Sequence, residues 1–351
     1  MSDTSVEHDS AHSQRLPDSA SPGDHRQRAR KRKRGTLRIA LISLASVFAL
    51  VAAVAVGGVL VLNHLASSIR RIPVSFAKLA AADRPVGAAA SQSMTVLITG
   101  SGIGPTGAGS SSGGSGLIML LHIDANRQAG GVVSIPPESV VNVPGHGDIQ
   151  IQRALALGGP TLLVTTVEQL THVQIQHYAR LDFSHVANVV DAVGGINVML
   201  PETTTSLGHT FHAGTNHLNG VAALSYARQP SLTEEGRVLR QQSLIRAALS
   251  KIANARLLVS PLTTFHVLSA LTAMLTVDSN FTNSELASLA AQLRGLSSRA
   301  GTFVTAPIHT VGSQVFLSRG ISNQLWQAIR HDSIAAFAGK YASTATPQEV
   351  P

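Results

Sequence analysis

The chain has 351 residues, a formal net charge of +8 and no cysteine. That length can bury a sizeable core in one or two domains, and the missing thiols exclude a disulfide framework and a thiolate metal site. The charge is local: residues 1–38 carry nine Lys/Arg against five Asp/Glu, and eight of the nine lie between Arg26 and Arg38, so the basic balance says little about the main domain.

Residues 1–25 are polar, Ser/Asp/His-rich and almost without aliphatics, which predicts disorder. The basic run RQRARKRKRGTLR then meets IALISLASVFALVAAVAVGGVLVL, residues 39–62, which holds no charge. As a helix this run would be about 36 Å long, enough to cross a hydrocarbon core of about 30 Å with some tilt. It is too long for the apolar core of a cleaved signal peptide. Basic residues on its N-terminal side predict one membrane span with residues 1–38 in the cytoplasm and the rest outside the cell. Beside such a span the basic run fixes topology and holds anionic lipid, and nucleic acid is not the expected partner.

Residues 63–92 are Ala-rich with two prolines and read as a helix-like stalk. From Met94 the texture alternates. TVLIT, LIMLLHI and GGVVSI read as strands bounded by Gly, Pro and Asn, and IQRALALGG and PTLLVTTVEQLTHV as helices parted at Gly158-Gly159. HYARLDF, SHVANVVDAVGG and INVMLP repeat the pattern, with VDAVGGINV a helix that stops and turns into a strand. GVAALSYAR reads as strand-like, SLTEEGRVLRQQSLIRAALSKIA as a long helix, TTFHVLSALTAML and TNSELASLAAQLRGL as helices, and TFVTAPI as a strand. The alternation predicts a layered α/β domain over 93–310. Residues 311–351 form an extension with a loose end.

Three motifs invite chemistry. GIGPTG, Gly102 to Gly107, matches G-x-G-x-x-G after a strand, but the dinucleotide fingerprint needs a helix to open at the glycines and here another strand follows. GSSSG, Gly109 to Gly113, fits a nucleophile elbow by letters and fails on the same context. His209, His212 and His217 in HTFHAGTNH could hold a metal, yet without Cys or an H-E-x-x-H helix they read as histidines flanking a turn.

The helix near Ser231 is the richest segment. Ser231 and Glu234 have capping-box spacing. Arg237, Arg240 and Gln241 then share one face of its first turns, and Arg228 precedes them. Guanidiniums gathered at a helix N-terminus make an anion site. The competing reading pairs these arginines with Glu234, Glu235 and solvent.

ITGSG, LLHID, VVSIPPESVVNVPGHG, ALALGGPTLLVTTVEQLT, VQIQHYARLDF, VVDAVGGINV, FHAGTNHLNGVAALSYAR and GRVLRQQ occur in an order that resembles the LytR-CpsA-Psr (LCP) family, the cell-envelope-related transcriptional attenuator domain. The resemblance covers about residues 93–255, and a similar continuation runs to about 310. It implies a three-layer α/β/α sandwich with a central mixed sheet. It also implies transfer of a glycopolymer phosphate from a polyprenyl-pyrophosphate carrier to a cell-wall polymer, with Mg²⁺ and several arginines on the pyrophosphate and an apolar pocket for the lipid. By the same resemblance Arg228 matches the first Arg of an R-x-R, and Arg237, Arg240 and Gln241 match R-x-x-R-Q, as the pyrophosphate-binding set. Elsewhere the pattern departs. Gly102 and Gly104 stand in the Asp and Arg places of G-x-D-x-R, and Gly114 and Gly116 in those of R-x-D. Pro137 replaces the Arg of S-I-P-R-D, Gln150 an expected lysine, and Pro230 the second Arg of R-x-R. Backbone N–H groups of the Gly/Ser loop can receive a phosphate, but they cannot hold Mg²⁺ as a carboxylate does. Two readings stay open: a transferase with a variant site, or a catalytically disabled relative that binds the lipid carrier or a partner.

Overall fold

Strand β3 (Leu117–Ile123), the run LIMLLHI, is buried along its whole length, because cores lie on both of its faces. Leu117, Met119, Leu121 and Ile123 enter one and Ile118 and Leu120 the other, as the period of two along a strand requires. The computed structural model that shows this describes residues 64, 67–76, 93–101, 116–127, 129–229, 231–232, 234–254, 261–297 and 302–345, all within the unit Leu62–Pro351. The expected basic segment and membrane span, residues 1–62, lie outside the described residues. Among the latter no helix is long and apolar enough to cross a membrane.

The chain adopts a mixed α/β fold around a mixed sheet. Seven strands, β1 (Arg70–Ile72), β2 (Met94–Ser101), β3, β4 (Gly130–Ser134), β7 (His177–Asp182), β12 (Leu275–Asp278) and β13 (Thr302–Thr305), stand in the order β1-β12-β7-β2-β3-β4-β13. β2 runs parallel to β7 and antiparallel to β3, β4 is antiparallel to β3, and β13 is parallel to β4. Strands β2, β4, β7 and β13 therefore deliver their carboxyl ends to one edge, and β3 starts there. Within the segment read as a stalk, β1 pairs parallel with β12 at the sheet's side.

Helices cover both faces. Residues of α2 (Val186–Ala192), α3 (Gly220–Ala227), α4 (Glu234–Asn254), α5 (Pro261–Met274) and α6 (Asn283–Ser297) join the first core. The second core takes α1 (Arg153–Thr171), kinked at Gly158-Gly159 as the glycines predict, with α7 (Arg319–Arg330) and α8 (Ile334–Lys340). A four-stranded sheet, in the order β14 (Ile308–Val311), β15 (Gln314–Leu317), β5 (Ser139–Val143), β6 (Gly147–Gln150), also packs there. Residues 311–345 are thus part of the packed structure: Leu325, Trp326, Ile329 and Phe337 are buried. Two ribbons complete the fold, β8 (Ile196–Leu200) with β11 (Gly214–Leu218) and β9 (Thr204–Ser206) with β10 (His209–Phe211).

The stop in VDAVGGINV has the expected form. Gly195 N–H bonds Val190 O and Gly194 N–H bonds Asp191 O, and Gly194 sits at φ 76°. That is the paired bonding that closes a helix through a left-handed residue.

Two local readings are corrected. GVAALSYAR is helix α3, not strand-like: the Asn219 side chain accepts from Ala222 N–H at 2.9 Å, and a capped Ala-rich run satisfies its backbone locally. Ser231 does not cap the long helix, because α4 begins at Glu234 and the Ser231 hydroxyl instead accepts from Gln229 Nε2 at 2.9 Å.

Candidate functional site

The carboxyl edge of β2, β4, β7 and β13 is where a sheet of this kind offers a ligand its crevice. β2 ends there at Ser101, opposite Asp182 at the end of β7. The Gly/Ser run leaves β2 and re-enters the sheet through β3, its antiparallel neighbour, so its ends are anchored at this edge. Gly102, Gly104 and Gly114 lie outside the described residues. Gly116 sits just before β3. Helix α4 is tied to the same edge: Gln242 Nε2 donates to Ser134 Oγ, at the end of β4, and to Thr305 Oγ1, at the end of β13, the latter at 2.9 Å.

Two of the four expected arginine-motif residues meet around the end of α3. Arg228 is the residue that closes α3, its N–H bonding Leu224 O. Its guanidinium is half-buried and feels the Asp182 carboxylate; burial pulls its pKa below the ordinary arginine value against that attraction. Arg240 reaches the same turn from α4. It is only 1% exposed, donates to Gln229 Oε1 and to Tyr226 O, the latter at 3.4 Å, and stacks over the Tyr226 ring at 4.6 Å. Gln229 Nε2 in turn donates to Thr204 Oγ1 at 2.8 Å and to Ser231 Oγ. The Arg240 guanidinium thus lies at a helix C-terminus, whose carbonyls favour cations, held by the protein's own acceptors, and the Arg228 backbone closes the same turn. Gln241 is buried beside it, and its Oε1 has no hydrogen-bond partner among the described residues. Arg237 lies in the first turns of α4, and its side chain is outside the described residues. Pro230 is outside them as well.

The sequence reading missed four contributors. Tyr226 and Gln229 bracket Arg228 and hold Arg240. Arg246 lies six residues beyond Arg240, 5.2 Å over the Phe303 ring, and its charge acts on Tyr226 as that of Arg240 does. Asp182 is the fourth: burial alone would raise its pKa, but hydrogen bonds from Ser184, with His185 and Arg180 nearby, hold it below the ordinary value. Six positions from Arg240, Arg246 falls off the i+3, i+4, i+7 spacing of one helix face, and like the others it needed the fold.

A magnesium ion between protein and pyrophosphate takes one or two carboxylates. The Gly/Ser run offers none by sequence, and Gly116 has no side chain to give. Asp182 Oδ1 already accepts from Ser184 N–H at 3.0 Å and Ser184 Oγ–H at 2.7 Å. Only Asp182 Oδ2, 3.7 Å from His185 Nδ1, is left to face an ion, so the residues here do not supply the pair of acids that the resemblance implies. The three histidines of HTFHAGTNH hold separate partners: His217 Nδ1 meets Asn197 Oδ1 at 2.8 Å, His209 stacks on Phe211, and the His212 backbone bonds Asn216.

The sequence profile of the LytR_cpsA_psr family matches residues 69–336. The probable cell wall biosynthesis protein LcpB of Corynebacterium glutamicum is 36% identical over 194 residues, 54% of this chain and 47% of that protein. A polyisoprenyl-teichoic acid–peptidoglycan teichoic acid transferase, TagU of Oceanobacillus iheyensis, is 34% identical over 151 residues, 40% of this chain and 47% of that one. The chain thus spans about half the length of the curated relatives it matches. A LytR-Csp2A-Psr enzyme from Actinomyces oris superposes with a TM-score of 0.58 at 18% identity, over 74% of this chain and 95% of that one. A structure of TagT bound to LI-WTA does so at 0.51 and 20% identity, over 70% and 91%.

Proposed function

The chain belongs to the LytR_cpsA_psr family, and from that premise we propose that it serves cell-wall assembly by binding a polyprenyl-phosphate-linked glycan without transferring it. In this reading residues 39–62 anchor the protein in the membrane and the domain stands outside the cell. The carrier's (pyro)phosphate rests at the carboxyl edge, against Arg228 and the backbone N–H groups of the Gly/Ser run. Arg240 acts as a positioning residue: through Gln229 and the Tyr226 carbonyl it fixes the turn that presents Arg228.

The observation that carries the reading is the mismatch in donors at this edge. Cationic side chains remain, while Asp182, the carboxylate whose charge acts on Arg228, already accepts from Ser184 through Oδ1. In-line phosphoryl transfer requires charge neutralisation at the bridging and equatorial oxygens, whereas retention of a dianion requires only donors. A second reading, transfer to a cell-wall polymer, is favoured by the intact R-x-x-R-Q run and by the transferase names of the relatives.

The test uses the full-length chain in detergent with a radiolabelled polyprenyl pyrophosphate, with and without Mg²⁺. Retention without phosphate release supports the binding role, Mg²⁺-dependent release supports transfer, and neither outcome removes both. Arg228→Gln should lower retention at least tenfold.

A further inference from the structure

At the opposite edge of the sheet, where β3 ends, we propose a binding site for one zinc-class divalent ion, formed by His122, Asp124 and Asp332. One ligand atom from each residue can be chosen so that all three lie within 4.8 Å of one another. His122 Nε2 stands 2.8 Å from Asp332 Oδ1 and 3.8 Å from Asp124 Oδ1. Ligand atoms bound tetrahedrally to zinc at about 2.0–2.2 Å sit about 3.3–3.6 Å apart. The two separations straddle that value, and the carboxylate oxygens, within 4.8 Å of one another, would close by up to about 1 Å around an ion.

Asp124 supplies an independent reason. Its side chain is nine-tenths buried, and among the described residues no hydrogen bond reaches its carboxylate. It faces the same imidazole nitrogen that Asp332 already occupies. A buried carboxylate with no donor is costly, and a second one beside it adds repulsion. A dication answers both at once.

The surroundings suit a ligand set. His122 Nδ1 lies 2.9 Å from Thr95 Oγ1. A hydroxyl both donates and accepts, so Thr95 serves the imidazole whether Nε2 carries its proton toward Asp332 or gives it up to a metal. In the second state Nδ1–H donates to Thr95, the outer-shell bond that orients metal-binding histidines. Asp332 Oδ2 accepts from Ala125 N–H at 2.9 Å, which fixes its carboxylate while Oδ1 faces the imidazole. The Asp332 side chain is 27% exposed, leaving an entry path and an open fourth position. One imidazole with two carboxylates selects a zinc-class ion over Mg²⁺ or Ca²⁺, which take oxygen donors. The bound ion would clip the turn between α7 and α8 to the end of β3.

The experiment uses chelator-stripped, tag-free full-length chain in detergent, titrated with Zn²⁺ or Mg²⁺. Metal content is read by mass spectrometry and the thermal midpoint by melting. One zinc per chain is expected, with a rise of about 5–10 °C at a hundredfold excess over Kd and no response to Mg²⁺. Asp124→Asn and Asp332→Asn should each weaken zinc at least tenfold, while in chelator both melt at or above the unsubstituted chain because they relieve repulsion. Replacing His209, His212 and His217 by Ala should leave the stoichiometry at one. The proposal is overturned if no zinc is retained, if the Asp124→Asn/Asp332→Asn double variant retains it equally, or if the triple-Ala variant loses it.

Discussion

Gly220→Ala should destabilise the protein although alanine is the better helix former. Gly220 opens α3, where Asp191 Oδ1 takes its N–H at 2.7 Å. A Cβ built there meets Ala187 O at 2.3 Å, Cα at 2.6 Å and C at 2.7 Å. All three are backbone atoms of α2, so no side chain can swing aside, and the helices must part by about 1 Å to restore ordinary contact. Overpacking of this kind costs about 1–3 kcal/mol, against a gain of at most about 1 kcal/mol from propensity. The internal control is Gly320→Ala in the first turn of α7, where a Cβ meets nothing within 4 Å; the propensity gain stands alone there and should stabilise by about 0.5–1 kcal/mol. At about 2–4 °C per kcal/mol for a domain near this size, the two variants should move the melting midpoint in opposite directions, Gly220→Ala by as much as about 10 °C downward. Because α3 ends at Arg228, carrier retention should fall with it. The close-approach argument fails if Gly220→Ala melts at or above the unsubstituted chain while Gly320→Ala behaves as described.

Arg228→Gln and Arg240→Met should separate binding from architecture: the half-buried Arg228 costs under about 1 kcal/mol in stability, whereas Arg240→Met strands Gln229 and loses the stack on Tyr226, about 2–4 kcal/mol. Calorimetry and the retention assay together read this, and equal destabilisation by both would contradict the assigned roles. Asp278 is buried, which alone would raise its pKa, but bonds from His177, Tyr178 N–H and Asn280 N–H hold it below the ordinary value. Its stabilising contribution is therefore full above the unfolded-state value near about 3.9 and is lost as pH falls through the lower folded-state value. Melts between pH 2 and 7 should show Asp278→Asn without that acid limb, at the cost of lower stability near neutrality. Finally, Gly102→Asp, Gly104→Arg and Gly116→Asp together should confer Mg²⁺-dependent phosphate release on a binding-only protein; no gain would put the deficiency at Pro137 or Pro230.

The strands were legible because aliphatic and β-branched runs are punctuated by Gly, Pro and Asn, and the end of α2 because Gly194-Gly195 permits one way of closing a helix. GVAALSYAR was not, since a nine-residue apolar run fits either period; the deciding residue was Asn219, just before it. Ser231 and Glu234 have the spacing of a capping box, but spacing does not reveal that Gln229 claims the hydroxyl. The arginines were visible as a pattern, and their partners were not: Gln229 lies eleven positions from Arg240 and meets it only because α3 and α4 fold back on one another. His122 and Asp332 are 210 positions apart, beyond any local signal.

That last pairing follows from the sheet's order. β3 is antiparallel to both neighbours, so it carries one end to each edge: it begins at the edge where β2 ends opposite Asp182, and LLHID leaves it as His122 and Asp124 beside Asp332. Seven residues of strand span about 23 Å, more than two Debye lengths at physiological salt. An anionic carrier at one edge therefore neither repels nor recruits a cation at the other. Substitutions at the two edges should add in free energy, as separated sites do: Arg228→Gln should leave zinc affinity unchanged, and Asp332→Asn should leave carrier retention unchanged. Coupling between them would mean that β3 transmits strain along its length, and the two-edge description would then be wrong.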